Sequence, residues 1–402
     1  MSDPSRVQIT GPLSPFAEGF AAELAHQGYR PNAAASQLQL IAHLSRWLTA
    51  KSMDAGSLSS VVLGEFLAAR RAQGYTLWLS PRALMPFLGY LRDRGFALPA
   101  PQSEVTPTEE LLARYRRYLL AARALAGTSA RGYVDMVRPF VARRAVDGQL
   151  DWASLTPAEV TAFVRSACRG RSTGSAQLLT TALRSLLGYL HVEGLIRRPL
   201  GAAVPSVAGS KLAGLPRALA AGEVERLLAA CDRRTRTGRR DFAMLVLLVR
   251  LGLRAGEVRT LGLDDLDWRA GELIVRGKGN RVERLPLPPD VGEALAAYLR
   301  RGRPATAQAR TVFVRVRAPH RPLTSGAVTN AVLTAASRAG LTAVTAHRLR
   351  HTVATQMVRA GVPLPEISQV LRHRRLLTTA IYAKVDRENL RRLARRWPGG
   401  EP

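Results

Sequence analysis

His347-Arg348-Leu349-Arg350-His351, continued by Leu371-Arg372-His373 and closed by Leu377-Thr378-Thr379-Ala380-Ile381-Tyr382, gathers histidine, arginine and tyrosine into one C-terminal stretch. His347, Arg350, His373 and Tyr382 all carry side chains that can act on a phosphodiester. Phosphoryl transfer without a metal needs cations on the non-bridging oxygens, an in-line nucleophile and an acid for the leaving oxygen. Arginine suits the clamp because its planar fork grips two phosphate oxygens at once. Arg350 follows His347 by three residues, which sets both on one helical face. A tyrosine on a helix is most often half-buried packing, so Tyr382 gains weight only from its neighbours.

Upstream, Leu251-Gly252-Leu253-Arg254-Ala255-Gly256-Glu257 follows an apolar run, Phe242 to Val249. That run is far short of the roughly 20 residues that span a bilayer and reads as a buried helix. Arg254 then falls at a cleft edge, with Glu257 placed to orient it. Glu272-Leu-Ile-Val-Arg276 and Val282-Glu-Arg-Leu-Pro-Leu287 flank Gly277-Lys278-Gly279-Asn280, a hairpin signal. Lys278 is one of only four lysines in an arginine-rich chain. Unlike arginine, lysine can give up a proton when its pKa is lowered, so Lys278 is a candidate acid.

Arg254, Lys278, His347-x-x-Arg350, His373 and Tyr382 stand in the order and approximate spacing of the tyrosine recombinases, the phage-integrase and Xer-like enzymes. The chain resembles that family strongly over 215–386 and loosely over 107–200. The resemblance implies site-specific DNA recombination, as integration, excision, transposition or resolution, through a 3′-phosphotyrosyl intermediate. It casts Tyr382 as nucleophile, Arg254 and Arg350 as the oxygen clamp, His347 as a helper in taking the tyrosine proton, His373 as a phosphate donor and Lys278 as the acid. It implies no cofactor and no metal, double-stranded DNA as partner, and a homo-oligomer, a tetramer in the synapse, or a partner recombinase. Arg372 departs from the family, which usually has glycine there. The substitution is expected to tighten DNA contact or to alter the start of the next helix. Alternatives of related chemistry are a type IB-like topoisomerase and a non-catalytic DNA-binding protein of the same fold. An RNA or general polyanion binder would account for the charge alone.

The fold class expected is mainly α, with a small β-sheet or hairpin in the C-terminal catalytic domain and helical SAM-like N-terminal domains that look duplicated. A chain of 402 residues suggests two or three domains. The expected boundaries are 14–98, a helical block; 107–200, a core-DNA-binding block; and 215–402, the catalytic domain. Leu88-Gly89-Tyr90-Leu91 with Gly95 is matched by Leu187-Gly188-Tyr189-Leu190 with Gly194, and Leu58 and Phe66 by Leu155 and Phe163. A helix beginning near Ser36 is paired with one beginning near Ser129. Pro- and Gly-rich linkers fall at 99–106 and 201–217. Helices are expected near 221–232, 239–251, 289–301, 325–339, 346–360, 364–372 and 376–384, with a strand near 311–316 and a basic tail at 387–397.

The net charge of +29 predicts attraction to polyanions. Residues 201–402 carry 36 Lys+Arg against 16 Asp+Glu, so the excess concentrates beside the His/Arg/Tyr stretch. An arginine-rich genome is the plainer source of part of it. Cys168 and Cys231 are the only cysteines. They offer neither a disulfide framework nor a zinc spacing. With an N-terminus unlike a signal peptide and no membrane association indicated, the expected location is the cytoplasm.

Overall fold

A computed structural model describes residues 4–96, 106–209, 218–277 and 281–372, together with Thr379 and Tyr382. By contacts, residues 99–213 form one unit, and residues 1–98 and 214–402 together form the other.

The first block holds α1 (Ala17–His26), α2 (Pro31–Ala50), α3 (Ser60–Ala72) and α4 (Pro81–Asp93). Leu38, Ile41, Leu44 and Leu48 of α2 are buried at helical spacing, against Phe66 and Leu67 of α3 and Leu84, Phe87, Leu88 and Leu91 of α4. Helix α2 begins at Pro31 rather than near Ser36, because proline at the first helical position gives up no hydrogen bond.

The second unit repeats the order, with α5 (Pro107–Ala121), α6 (Gly127–Ala142), α7 (Pro157–Ala167) and α8 (Thr173–Val192). A small hairpin, β1 (Ala145–Val146) and β2 (Gln149–Leu150), sits between α6 and α7. Its turn uses Asp147 and Gly148, both at positive φ. Helix α7 opens with a reciprocal cap: Glu159 N–H donates to Thr156 Oγ1 at 3.3 Å and Thr156 N–H to Glu159 Oε2 at 2.8 Å.

The positions paired by sequence take matching places in the two blocks. Tyr90 and Leu91 near the end of α4, and Tyr189 and Leu190 near the end of α8, are all buried. Each helix then ends on a left-handed glycine, Gly95 at φ 78° and Gly194 at φ 71°. The next amide turns back onto the same leucine carbonyl, Phe96 on Leu91 at 3.0 Å and Leu195 on Leu190 at 2.9 Å. Leu58 and Phe66 are buried as Leu155 and Phe163 are.

The last block contains α9 (Ala221–Ala229), α10 (Arg236–Arg250), α11 (Ala255–Thr260), β3 (Leu266–Asp267), β4 (Glu272–Arg276), β5 (Val282–Pro286), α12 (Pro289–Arg301), α13 (Ser325–Arg338), α14 (Ala346–Arg359) and α15 (Leu364–Val370). Met244 to Val249 of α10 are all buried, which fits a helix packed on several sides. The hairpin falls on the expected strands, with β4 and β5 antiparallel and Leu273 opposite Leu285. Gly277 N–H donates to Arg281 O at 2.8 Å, joining the strands just before residues 278–280. Strand β3 adds a third member on the other side of β4.

The strand expected near 311–316 is reduced to isolated bridges at Thr311 and Val314. Val312, Phe313 and Val314 are fully buried, which is why the stretch reads as a strand. The two bridges go to different segments, Thr311 to Gly262 and Val314 to Pro322, so no continuous ladder builds along the stretch. The linker at 99–106 lies outside the described residues except for Thr106; that at 201–217 is described to residue 209, opens on a 3-10 turn at Leu200–Ala203 and lies outside them from 210 on. The helix expected at 376–384 also lies outside them, apart from Thr379 and Tyr382, and the tail at 387–397 lies wholly outside. No helix among the described residues is long and apolar enough to cross a membrane.

Candidate active site

The turn between α10 and α11 supplies the first cation. Gly252 holds φ 56°, and a Cβ there would stand 2.9 Å from Leu371 Cδ2, so any larger residue is strained and must displace that leucine. Arg254 closes the turn as the cap of α11. Its N–H donates to Glu257 Oε2 at 2.8 Å and its Nη1 to Glu257 Oε1 at 2.6 Å. The orienting role expected for Glu257 is therefore visible in the geometry. Arg254 keeps 39% of its side-chain surface while Glu257 keeps 4%. The carboxylate is thus a buried anchor, and the guanidinium faces outward.

Helix α14 supplies the second. Arg350 is buried and donates Nη1 to Gly252 O at 2.5 Å. Its Nη2 is also buried and has no hydrogen-bond partner among the described residues. Burial, then repulsion from Arg254 and Arg372, pushes the Arg350 guanidinium down to about 9. Three guanidinium groups therefore share one carboxylate, Glu257, and the cluster is short of negative charge. Burial alone would raise the Glu257 carboxyl. The Arg254 N–H and the Arg372 and Arg254 charges outweigh it and hold the carboxyl below its ordinary value.

Tyr382 is 2% exposed and packs against Val353, Ala354 and Val358 of α14 and Ile367 and Leu371 at α15. Its hydroxyl lies 2.7 Å from His351 Nδ1. His351 in turn packs edge to face on His347, with ring centroids 4.3 Å apart. Burial, with repulsion from His347 and Arg350, lowers the His351 imidazole to about 4. It is therefore neutral near pH 7, and in the tautomer protonated on Nε2 its Nδ1 accepts from the Tyr382 hydroxyl. Burial raises the Tyr382 phenol to about 12, and Arg350 opposes that rise. His347 is exposed, and its pKa is lowered by desolvation and by Arg350 and Arg254.

The structure thus brings Arg254, Arg350 and Tyr382 to one place, with His347 one ring removed from the tyrosine. Lys278 and His373 lie outside the described residues. Sequence reading gave His351 no role. The available signal was its spacing, four residues after His347 on the same helical face. Of the two expectations for Arg372, the altered start of the next helix lies outside the described residues, and an outward contact is not what the side chain makes here. Its side chain turns inward to Glu257, Nη2 to Oε2 at 3.1 Å, and does not reach outward for DNA. Among the described residues no group of three or more His, Cys, Asp or Glu side chains could hold a metal ion.

Residues 217–389 match the model of the phage integrase family, and residues 112–194 match that of the phage integrase N-terminal SAM-like domain. A Sinorhizobium fredii protein, y4rA, whose name puts it among integrases/recombinases, is 41% identical over 397 residues, 97% of this chain and 95% of its own. Tyrosine recombinase XerC of Stutzerimonas stutzeri is 32% identical over 280 residues, 69% of this chain and 91% of its own. Among solved structures, XerH recombinase in a post-cleavage complex with difH DNA aligns with TM-score 0.54 at 19% identity, over 82% of this chain and 93% of that one. A lambda integrase tetramer on a Holliday junction aligns with TM-score 0.52 at 18% identity, over 81% and 92%. At such identities the two structures speak for the fold.

Proposed function

The chain belongs to the phage integrase family and is a tyrosine site-specific DNA recombinase, and on that premise we propose how its own residues divide the reaction. Tyr382 Oη attacks the scissile phosphorus and forms a 3′-phosphotyrosyl bond as the 5′ oxygen leaves. Arg254 and Arg350 grip the non-bridging oxygens. Lys278 gives its proton to the leaving 5′ oxygen, and His373 donates to the phosphate. The tyrosine proton passes to His351, which already meets Tyr382 Oη at 2.7 Å. His347 serves as the ring packed behind it. Reversal on a partner strand rejoins the DNA with the bond energy conserved.

The observation that carries this reading is the buried, partnerless Nη2 of Arg350 within an arginine cluster beside the tyrosine. An unsatisfied buried donor costs about 1–3 kcal/mol. A phosphate oxygen would relieve that cost and supply the missing negative charge.

We further assign residues 107–200 to core-DNA binding, 215–402 to catalysis, and 14–98 to a diverged copy of the core-binding block. The matching glycine caps and buried Leu/Tyr positions support the copy. Double-stranded DNA is the substrate, and strand exchange takes four protomers, as in the lambda integrase tetramer on a Holliday junction.

The test begins with covalent capture of wild-type protein on a randomised library of nicked duplexes, to obtain a cleavable sequence. Tyr382→Phe must then give no adduct on that sequence. An adduct that persists sinks the assignment of the nucleophile. Plasmid relaxation without site preference would instead favour the topoisomerase.

A further inference from the structure

Arg372 is buried where burial is least expected. Helix α15 ends at Val370, and Arg372 follows in the left-handed conformation at φ 54°. That is the position after a helix where glycine is usual, and a side chain there strains the backbone. The guanidinium then runs inward, with 4% of its side-chain surface left. It donates Nη1 to Val370 O at 3.0 Å and Nη2 to Glu257 Oε2 at 3.1 Å. Its Nε has no partner. A strained backbone and an incompletely satisfied buried cation are poor devices for stability.

The same residue holds Arg254 by a second route, since Arg254 Nη2 donates to the Arg372 carbonyl oxygen at 3.3 Å. Glu257 therefore divides its oxygens. Oε1 receives the Arg254 side chain, while Oε2 receives the Arg254 N–H and the Arg372 side chain.

We propose that Arg372 is a positioning residue for Arg254: by taking half of the Glu257 carboxylate, it leaves the Arg254 guanidinium aimed outward and under-neutralised for the scissile phosphate. With glycine at 372, Glu257 would have Arg254 as its only side-chain partner among the described residues. Arg254, which already holds Oε1, would then have the side-chain place on Oε2 as well and be more fully neutralised. Arg372 also keeps a third positive charge close enough to act on Arg350. The proposal rests on the assignment of Arg254 to the phosphate clamp. It is separable from that assignment because Arg372 itself touches no reacting atom.

The experiment compares wild type, Arg372→Gly, Arg372→Lys and Tyr382→Phe on a nicked duplex selected for wild-type adduct formation. Kd, the single-turnover adduct rate at saturating protein, and thermal melting are measured for each. The expected result for Arg372→Gly is a rate at least tenfold lower, with Kd within about threefold and no lower Tm, since the backbone strain is relieved. Arg372→Lys, which keeps the charge, should recover part of the rate. If the glycine variant fails to melt cooperatively, Arg372→Gln is held to the same criteria, because it can donate to Glu257 without a charge. A rate within twofold of wild type overturns the proposal, as does a lysine variant no better than the glycine one, or a loss confined to Tm. Failure of the wild type to form an adduct on any library duplex would fall on the proposed function first and take this proposal with it.

Discussion

Replacing Arg350 by methionine should make the protein more stable while abolishing its chemistry. Arg350 is 2% exposed. Burial, with Arg254 and Arg372 nearby, holds its pKa at about 9 against an ordinary 12.5. At about 1.4 kcal/mol per pKa unit, keeping the guanidinium charged in the fold costs roughly 5 kcal/mol. Methionine has no charge to desolvate and is flexible enough to fill the same space. The opposing loss is the Gly252 carbonyl, which gives up its 2.5 Å donor at about 1–3 kcal/mol. The net is a stabilisation of about 2–4 kcal/mol, or a rise of roughly 5 °C in Tm. Calorimetry of the two proteins without DNA checks the first half, and covalent adduct formation on the selected nicked duplex checks the second. Excess duplex should also raise the wild-type Tm more than the variant's, because only the wild type has a buried donor waiting for phosphate. A variant that melts below wild type would refute the view that this arginine is strained for function. So would one that still forms the adduct within tenfold of the wild-type rate.

Other outcomes follow from neighbouring geometry. His351→Phe removes the acceptor on Tyr382 Oη and should slow adduct formation by about 10²-fold, the low end for general base catalysis, with duplex affinity retained. An unchanged rate would return the tyrosine proton to another group. The folded-state pKa of His351, about 4, lies below its ordinary 6.5, so the unfolded chain binds a proton that the fold rejects. Stability should therefore fall as pH drops from about 6.5 towards 4. Melts across that window should show a shallower slope in His351→Phe, and equal slopes would remove His351 as the cause. Gly252→Ala forces a Cβ to within 2.9 Å of Leu371 Cδ2 at φ 56° and moves the carbonyl that anchors Arg350. It should cost about 2 kcal/mol and lower the adduct rate, and wild-type behaviour in both would show that the turn does not set the clamp. Duplex affinity should fall steeply and linearly on a log–log salt plot, and a flat plot would contradict a charge-driven interface.

Much of this architecture is written in local chemistry. The apolar run over Phe242–Val249, the two β-rich segments on either side of residues 278–280 and the Leu-Gly-Tyr-Leu stops before Gly95 and Gly194 each depend on residues a few positions apart, and the helices and strands expected from them form there. The short α11 and the two-residue β3 escape such reading because they have too few residues to show a period. Val312–Val314 reads as a strand because an apolar run does not reveal that its two ends will bridge to different segments.

The site divides in the same way. Residue type and order alone pick out Arg254, Lys278, His347, Arg350, His373 and Tyr382. Which imidazole meets the tyrosine is decided by packing across 31 residues, and among the described residues it is His351. The direction of Arg372 is decided by a left-handed backbone and by Glu257, 115 residues away. Sequence by itself determined which functional groups are present and which helices and strands carry them, because propensity, capping and turn chemistry act over a few residues. Tertiary structure alone decided which donor meets which acceptor and how far each charge is desolvated, because those energies depend on groups that only the fold brings together.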